Sequence, residues 1–367
     1  MSDAPLFDAL AEADVAAALL PYLRQSAAAP GLTFRALPQR LLGGFDTLVY
    51  AFEVQDAPES LAGPLVLRIY RDASGPARAQ REGSVQNAVG ALGFPTPPVL
   101  LTCVDRGVLG GAFQIMRRLP GRVMLDAFFT PRLLRMPRLL AALHARLHGL
   151  DASGLRHALL DAGCGLDAVS VSGDLDSMQM RIAAGRLDGL HAGMEWLVAH
   201  RPAAATTAIC HGDFHPLNIL LNGDGAVSGV LDWSWSKLDD PAWDVGATVA
   251  LMTQGPVALP AVLRGVVAAA RGWLVGRYLR AYAALRPLDL GAVRYYEALR
   301  CLAMLIEAGE HLQARAGVIA PIAKPTAFID QYIIGTLRAR VRTISGVDVS
   351  VGLPRRAGVL TGGPPVD

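Results

Sequence analysis

Four side chains capable of chemistry, His211, Asp213, His215 and Asn218, fall within eight positions of the stretch ICHGDFHPLNIL at residues 209–220. Ile209 precedes them and Ile219, Leu220 and Leu221 follow, which is the pattern of buried strand on both sides. Polar groups set between two apolar runs must find partners or react, because an unpaired buried polar group costs about 1–3 kcal/mol. Asp232 comes next, after the turn Asn222-Gly-Asp-Gly and inside the apolar run VSGVLDW. Phosphoryl transfer needs hard oxygen ligands for magnesium and one carboxylate to orient the attacking hydroxyl, since its transition state calls for positioning and charge neutralisation. Asp213, Asn218 and Asp232 can supply both. A rival chemistry takes His211, Asp213 and His215 as an H-x-D-x-H metal set of a hydrolase. Such a site would want further His near Asp232, and none follows it before His311.

These residues need elements to hold them. Residues 41–70 alternate as strands do, in LLGGFDTLVYAFEV, the turn DAPESLAGP and LVLRIY. A helical stretch, RAQREGSVQNAVGALG, is ended by Gly93 and FPTPP, and VLLTCV and GAFQIMRRL read as two more strands. From Leu119-Pro-Gly-Arg122 the pattern turns helical, over 131–149 and in one long run over 175–200. Strand returns only near 209 and over 219–232, and helix dominates beyond 260. The expectation is an α+β chain in two lobes: residues 1–118 a small antiparallel-sheet lobe with an N-terminal helix, and 119–345 a larger, mostly helical lobe. Residues 346–367, ending in PRRAGVLTGGPPVD, are expected to form a flexible tail. A hinge at Pro120-Gly121 would make a cleft.

The spacing D-x-x-x-x-N from Asp213 to Asn218 matches the kinase catalytic loop H-R-D-x-x-x-x-N, with His211-Gly212 in front. HGDFHPLNIL and GVLDWSWSKLDDPAWDVG, with WLVAHRP, LVLRIY, REG and FQIMRRLPG as looser support, resemble the aminoglycoside phosphotransferase and choline kinase superfamily over residues 41–250. The resemblance implies a protein-kinase-like fold and an ATP- and Mg2+-dependent transfer, with GTP an alternative donor, to a hydroxyl of a small molecule such as an aminoglycoside or macrolide antibiotic. It implies Asp213 as catalytic base or hydroxyl orienter, Asn218 and Asp232 as magnesium ligands, Asp244 as a scaffold carboxylate under the loop and His211 as support behind it. In the small lobe it implies Arg68 on the phosphates, held by Glu82, with Gly43 and Gly44 in the phosphate-covering turn. The backbone of Arg117 and Leu119 would meet the base. A pseudokinase that binds nucleotide as a regulatory module is the alternative that keeps the fold without the transfer.

Other polar residues have plainer readings. His144 and His148 lie at i and i+4 and read as a helix packed beside the loop, and His215 as a loop-packing residue. Asp239 and Asp240 precede Pro241 and suit a helix cap, or an acceptor contact; Glu307 and Glu310 suit exposed helix positions, or a cationic acceptor. The formal net charge of +2 favours neither nucleic acid nor an anionic membrane as partner, and is mild evidence against a polycationic acceptor. Lys stands only at 237 and 324, so any small-lobe cation must be Arg or His. The four Cys are scattered without a C-x-x-C pair, and the N-terminus is acidic where a signal peptide is basic, so a cytoplasmic protein is expected. The uncharged run 245–263 is interrupted by Gln254, Gly255-Pro256 and Pro260, and reads as buried helix pieces, not a membrane span. Nothing in the sequence sets the oligomeric state.

Overall fold

Alternating apolar residues build the first sheet. In the computed structural model, which describes residues 10–41, 47–161, 163, 171–203, 206–255, 264–320, 322 and 331–352, helix α1 (Glu12–Ser26) precedes strands β1 (Thr33–Arg40), β2 (Leu48–Gln55) and β3 (Leu65–Tyr70). Helix α2 (Gly75–Ala91) and strands β4 (Val99–Cys103) and β5 (Ala112–Arg117) complete this lobe. The five strands form one antiparallel sheet in the order β1-β2-β3-β5-β4. Leu65, Leu67 and Ile69 of β3 are fully buried in a core shared with Tyr50, Phe52, Phe113 and Ile115. β1 was not foreseen as a strand: Pro38 lies inside it, and only one of its eight residues is buried, which is what a sheet edge permits.

Helix α2 belongs to both lobes. It packs on the sheet, while Val85 and Val89 join a second apolar core with Phe94, Leu140, Phe214, Trp233 and Leu305. That core is made chiefly by helices α3 (Met136–Leu147), α4 (Ala152–Asp161), α5 (Val171–Ala184), α6 (His191–Ala199), α7 (Pro241–Gln254), α8 (Arg264–Ala283), α9 (Leu290–Arg315) and α10 (Gln331–Ser345). The single helical run expected over 175–200 is two helices, because the chain turns at Gly185-Arg186, where Arg186 has φ 51°. Residues 346–352 do not start a loose tail. Val349 is buried and the Ser350 amide donates to the Gly189 carbonyl at 2.9 Å; residues 353–367 lie outside the described residues.

Short strands carry the polar cluster. β6 (Arg122–Val123), β8 (Ile219–Leu221) and β9 (Val227–Val230) form one small sheet, and β7 (Ala208–Cys210) pairs with β10 (Lys237–Asp239) in another. Asp213 and Asn218 lie in the loop from β7 to β8, and Asp232 follows β9. The pairing Ile219↔Val230 continues into a bond from the Leu231 amide to the Asn218 carbonyl, which sets Asn218 beside Asp232. Among the described residues no helix is long and apolar enough to cross a membrane.

Candidate active site

The loop is held from beneath by Asp244. This carboxylate, fully buried in the first turn of α7, accepts the His211 amide at 2.5 Å and the Gly212 amide at 2.8 Å. Gly212 has φ +78°, and a Cβ there would stand 2.6 Å from the Trp235 carbonyl oxygen, so only glycine fits the turn that delivers Asp213. His144 Nε2 and His148 Nε2 lie 3.0 and 3.2 Å from Asp244 Oδ2, and their Nδ1 atoms meet Tyr278 and Tyr282 hydroxyls at 2.6 Å. Burial, then the neighbouring His148, pushes His144 down to about 4 despite Asp244, so it is neutral at physiological pH. Burial opposes the charge on Asp244, but His144 and His148 hold it well below the usual carboxylate range. The two histidines read from sequence as packing neighbours are therefore direct partners of Asp244.

His211 turns inward. Its Nε2 faces the Leu231 carbonyl at 3.0 Å and its Nδ1 accepts the Asp213 amide at 3.2 Å, while the ring packs on Trp233. Both ring nitrogens are committed, which removes His211 from an H-x-D-x-H metal set. Asp213 Oδ2 accepts from Asn218 Nδ2 at 2.8 Å and lies 3.2 Å from His215 Nε2; Oδ1 lies 3.4 Å from Arg300 Nη2. Burial works to raise Asp213, but His215, then Arg300 and His211, hold its carboxyl well below the ordinary 3.8.

Asp232 stands in a left-handed backbone conformation, φ 62°, which is costly for a residue with a Cβ and marks sites where geometry is imposed by the surroundings. Its Oδ1 binds Arg68 Nη2 at 3.1 Å and accepts the Ser234 hydroxyl. Its Oδ2, like Asn218 Oδ1, has no hydrogen-bond partner among the described residues, and the side chain is 38% exposed. Two unsatisfied, partly accessible oxygen atoms on adjacent residues suit a hard cation such as Mg2+. Desolvation, the largest single influence, opposes ionisation of Asp232, but Arg68, the Ser234 hydroxyl and His211 together outweigh it, so its pKa is lowered.

Arg68 ties this edge to the small lobe. Its Nη1 lies 3.1 Å from Glu82 Oε2 and its Nε donates to Thr47 Oγ1 at 3.1 Å. Glu82, nearly fully buried on α2, also accepts the Tyr70 hydroxyl at 2.8 Å, and the same hydroxyl oxygen lies 2.9 Å from Gln114 Oε1. Burial raises the Glu82 pKa against the pull of Arg68. One residue passed over in the sequence adds a second tie: Arg81, next to Glu82 on α2, donates to the Ser234 carbonyl at 3.1 Å and to that of Ser236.

Other expectations divide. Gly43 and Gly44 lie outside the described residues. The Arg117 amide donates to the Pro98 carbonyl at 3.0 Å and its guanidinium to the carbonyls of Glu59, Ser60 and Ala62, so of its backbone groups the N–H is already used. The Leu119 amide makes no hydrogen bond among the described residues. Asp240 caps α7 by accepting the Ala242 amide at 2.8 Å, and Asp239 lies 3.2 Å from Lys237 Nζ. Glu310 is gripped by Arg181 at 2.9 and 2.6 Å, not exposed to an acceptor.

Residues 38–288 match the phosphotransferase enzyme family. Among curated proteins the chain is 31% identical over 194 residues to acyl-CoA dehydrogenase family member 10 of Mus musculus, covering 51% of this chain but 18% of that one. A Ralstonia eutropha structure, provisionally named an aminoglycoside phosphotransferase, is 18% identical with TM-score 0.59, covering 90% of this chain and 95% of that one. A thermostable mutant of the aminoglycoside phosphotransferase APH(4)-Ia, solved with ADP and hygromycin B, gives TM-score 0.53 at 16% identity, with 90% and 98% covered. These structures share the fold of this chain. The match runs from β1 to beyond α8 and includes both halves of the site, and the chain belongs to the phosphotransferase enzyme family.

Proposed function

We propose that this chain transfers the γ-phosphoryl group of ATP, with Mg2+, to a hydroxyl group of a small molecule. The observation that carries the reading is the Arg68 guanidinium, bound at 3.1 Å both to Glu82 and to Asp232, one residue from the partner of Asn218. A cation for phosphate, oxygen ligands for a metal and a hydroxyl-orienting carboxylate thereby meet at one edge. Asn218 and Asp232 would hold Mg2+, which when bound neutralises charge on the phosphate oxygens. Arg68 would exchange its bond to Asp232 for phosphate oxygens while Glu82 keeps it aimed.

Asp213 is a weak base, because its neighbours stabilise the carboxylate. Its role is to align the acceptor oxygen for in-line attack and to receive the proton as the new P–O bond forms. The Leu119 amide is a donor for the nucleotide base. Only strand β10 and its flanking turns separate Asp232 from α7, which leaves no long segment on which a peptide could dock and favours a small acceptor. The buried, free thiols Cys103, Cys210 and Cys301 fit a reducing cytoplasm.

The test is ATP consumption with Mg2+ across hydroxylated antibiotics and metabolites, with phosphorylated product identified by mass. Transfer above acceptor-independent hydrolysis is expected for at least one acceptor. A wild-type chain that neither binds Mg-ATP nor transfers phosphate contradicts the reading.

A further inference from the structure

A guanidinium stands at Asp213 that no sequence motif marks. Arg300, from the middle of α9, approaches Asp213 Oδ1 at 3.4 Å, a long contact for a charged pair. Its Nε is buried without any hydrogen-bond partner. Guanidinium offers five N–H donors in a fixed fork, and a buried donor left unmade is costly. The protein therefore keeps an under-satisfied cation against the carboxylate assigned to the acceptor hydroxyl. The Arg300 Cζ lies 5.2 Å from the ring centroid of Trp235, and Trp235 is 49% exposed. That ring adjoins the loop, since the Trp235 carbonyl and Cβ crowd Gly212.

Among the described residues, several carboxylates that could welcome a positively charged acceptor are already paired. Glu297, one turn before Arg300 on α9, is buried and held by both arms of Arg340 at 2.6 Å. Glu310 is held by Arg181, Asp239 by Lys237, and Asp240 caps α7.

We propose that Arg300 and Trp235 form an acceptor subsite selecting a small hydroxylated molecule that carries a carboxylate or similar anionic group, its apolar or planar part lying on Trp235. The inference rests on the phosphotransferase reading and gives it a substrate class. Docking of the anion would give the Arg300 guanidinium a second acceptor beside its long contact with Asp213. The step itself balances: the bond from the γ-phosphorus to the β,γ-bridging oxygen breaks, the acceptor O–P bond forms, ADP leaves with the electron pair and the hydroxyl proton passes to Asp213.

Three probes of like shape separate the charges: 3-phenyllactate, its neutral amide, and the cationic amino alcohol phenylalaninol. Their affinities are measured by calorimetry with the chain loaded with Mg2+ and a non-hydrolysable ATP analogue. 3-Phenyllactate should bind roughly tenfold or more tighter than the amide, with phenylalaninol weakest. Arg300→Gln should erase the difference, Arg300→Lys should keep part of it, and Trp235→Ala should weaken the acid and the amide alike. A charge-blind order, a preference for the cation, no measurable binding of the acid, or discrimination surviving in Arg300→Gln overturns the subsite. A thermal shift with Mg-ATP on every variant reports the fold. It also separates the two failures: wild type that binds Mg-ATP but shows no charge preference refutes only the subsite, whereas wild type that does not bind Mg-ATP refutes the phosphotransferase reading.

Discussion

Lowering the pH should weaken this fold through His144 before any carboxylate of the loop is protonated. His144 is completely buried, stacked on Phe214 at 4.1 Å, and depressed from 6.5 to about 4. Because the unfolded chain takes up this proton first, stability is constant above about pH 6.5, falls as pH drops, and levels off near 4. One proton over one pH unit is worth about 1.4 kcal/mol, so the loss by pH 5 is about 2 kcal/mol. Asp244 acts outside this window: its pKa is lowered, so its contribution is complete above the ordinary 3.8 and fades only in stronger acid. Glu82 and Asp239, both raised by burial, oppose the trend, but they do so in wild type and variant alike. The assay is urea unfolding at about pH 7.5 and 5 for wild type and His144→Gln. The variant should start less stable and lose about 2 kcal/mol less on acidification. Equal losses in the two proteins would refute the assignment of a buried neutral imidazole under the loop.

Arg68 gives an ordered series. Arg68→Lys keeps the charge without the fork, Arg68→Ala removes both, and Glu82→Ala releases the aim, so kcat/KM for ATP should fall from wild type to Lys to Ala, with Glu82→Ala near the last. Truncation of Arg68 should cost about 2–4 kcal/mol in kcat/KM, and changes within about 0.5 kcal/mol for all three would mean a solvated strand arginine. Asp232→Asn should lower activity by orders of magnitude while thermal unfolding stays near wild type, since Arg68 retains Glu82; near-normal turnover would remove Asp232 from the metal site.

The site was legible where it is local. Asp213, Asn218 and Asp232 are joined by one loop and one strand pair, and polar residues between apolar runs announce such a loop. Arg68 and Glu82 came only through resemblance, because a strand arginine and a helix glutamate have no signature that marks their pairing. The partners of Asp213 and Asp244 were the harder part. His144, His148 and Arg300 reach the loop from helices, Arg300 from 87 residues away, and their spacing on those helices is what ordinary packing also produces. That the Arg117 amide is spent on Pro98 could not be read, because strand alternation does not say which amides a sheet consumes. β1 and β10 were missed for a related reason: Pro38 and the charged KLDD stretch disguise short strands whose pairing comes from their neighbours.

The central claim is that Asp213 serves the acceptor and not the nucleotide. Asp213→Asn preserves shape and the contact with Asn218 but removes basicity. Calorimetry of Mg-ATP binding and single-turnover phosphate transfer on this variant test the claim directly. Nucleotide affinity should remain close to wild type while transfer falls by about 10²–10⁴. Collapse of Mg-ATP binding, or transfer at the wild-type rate, would contradict it.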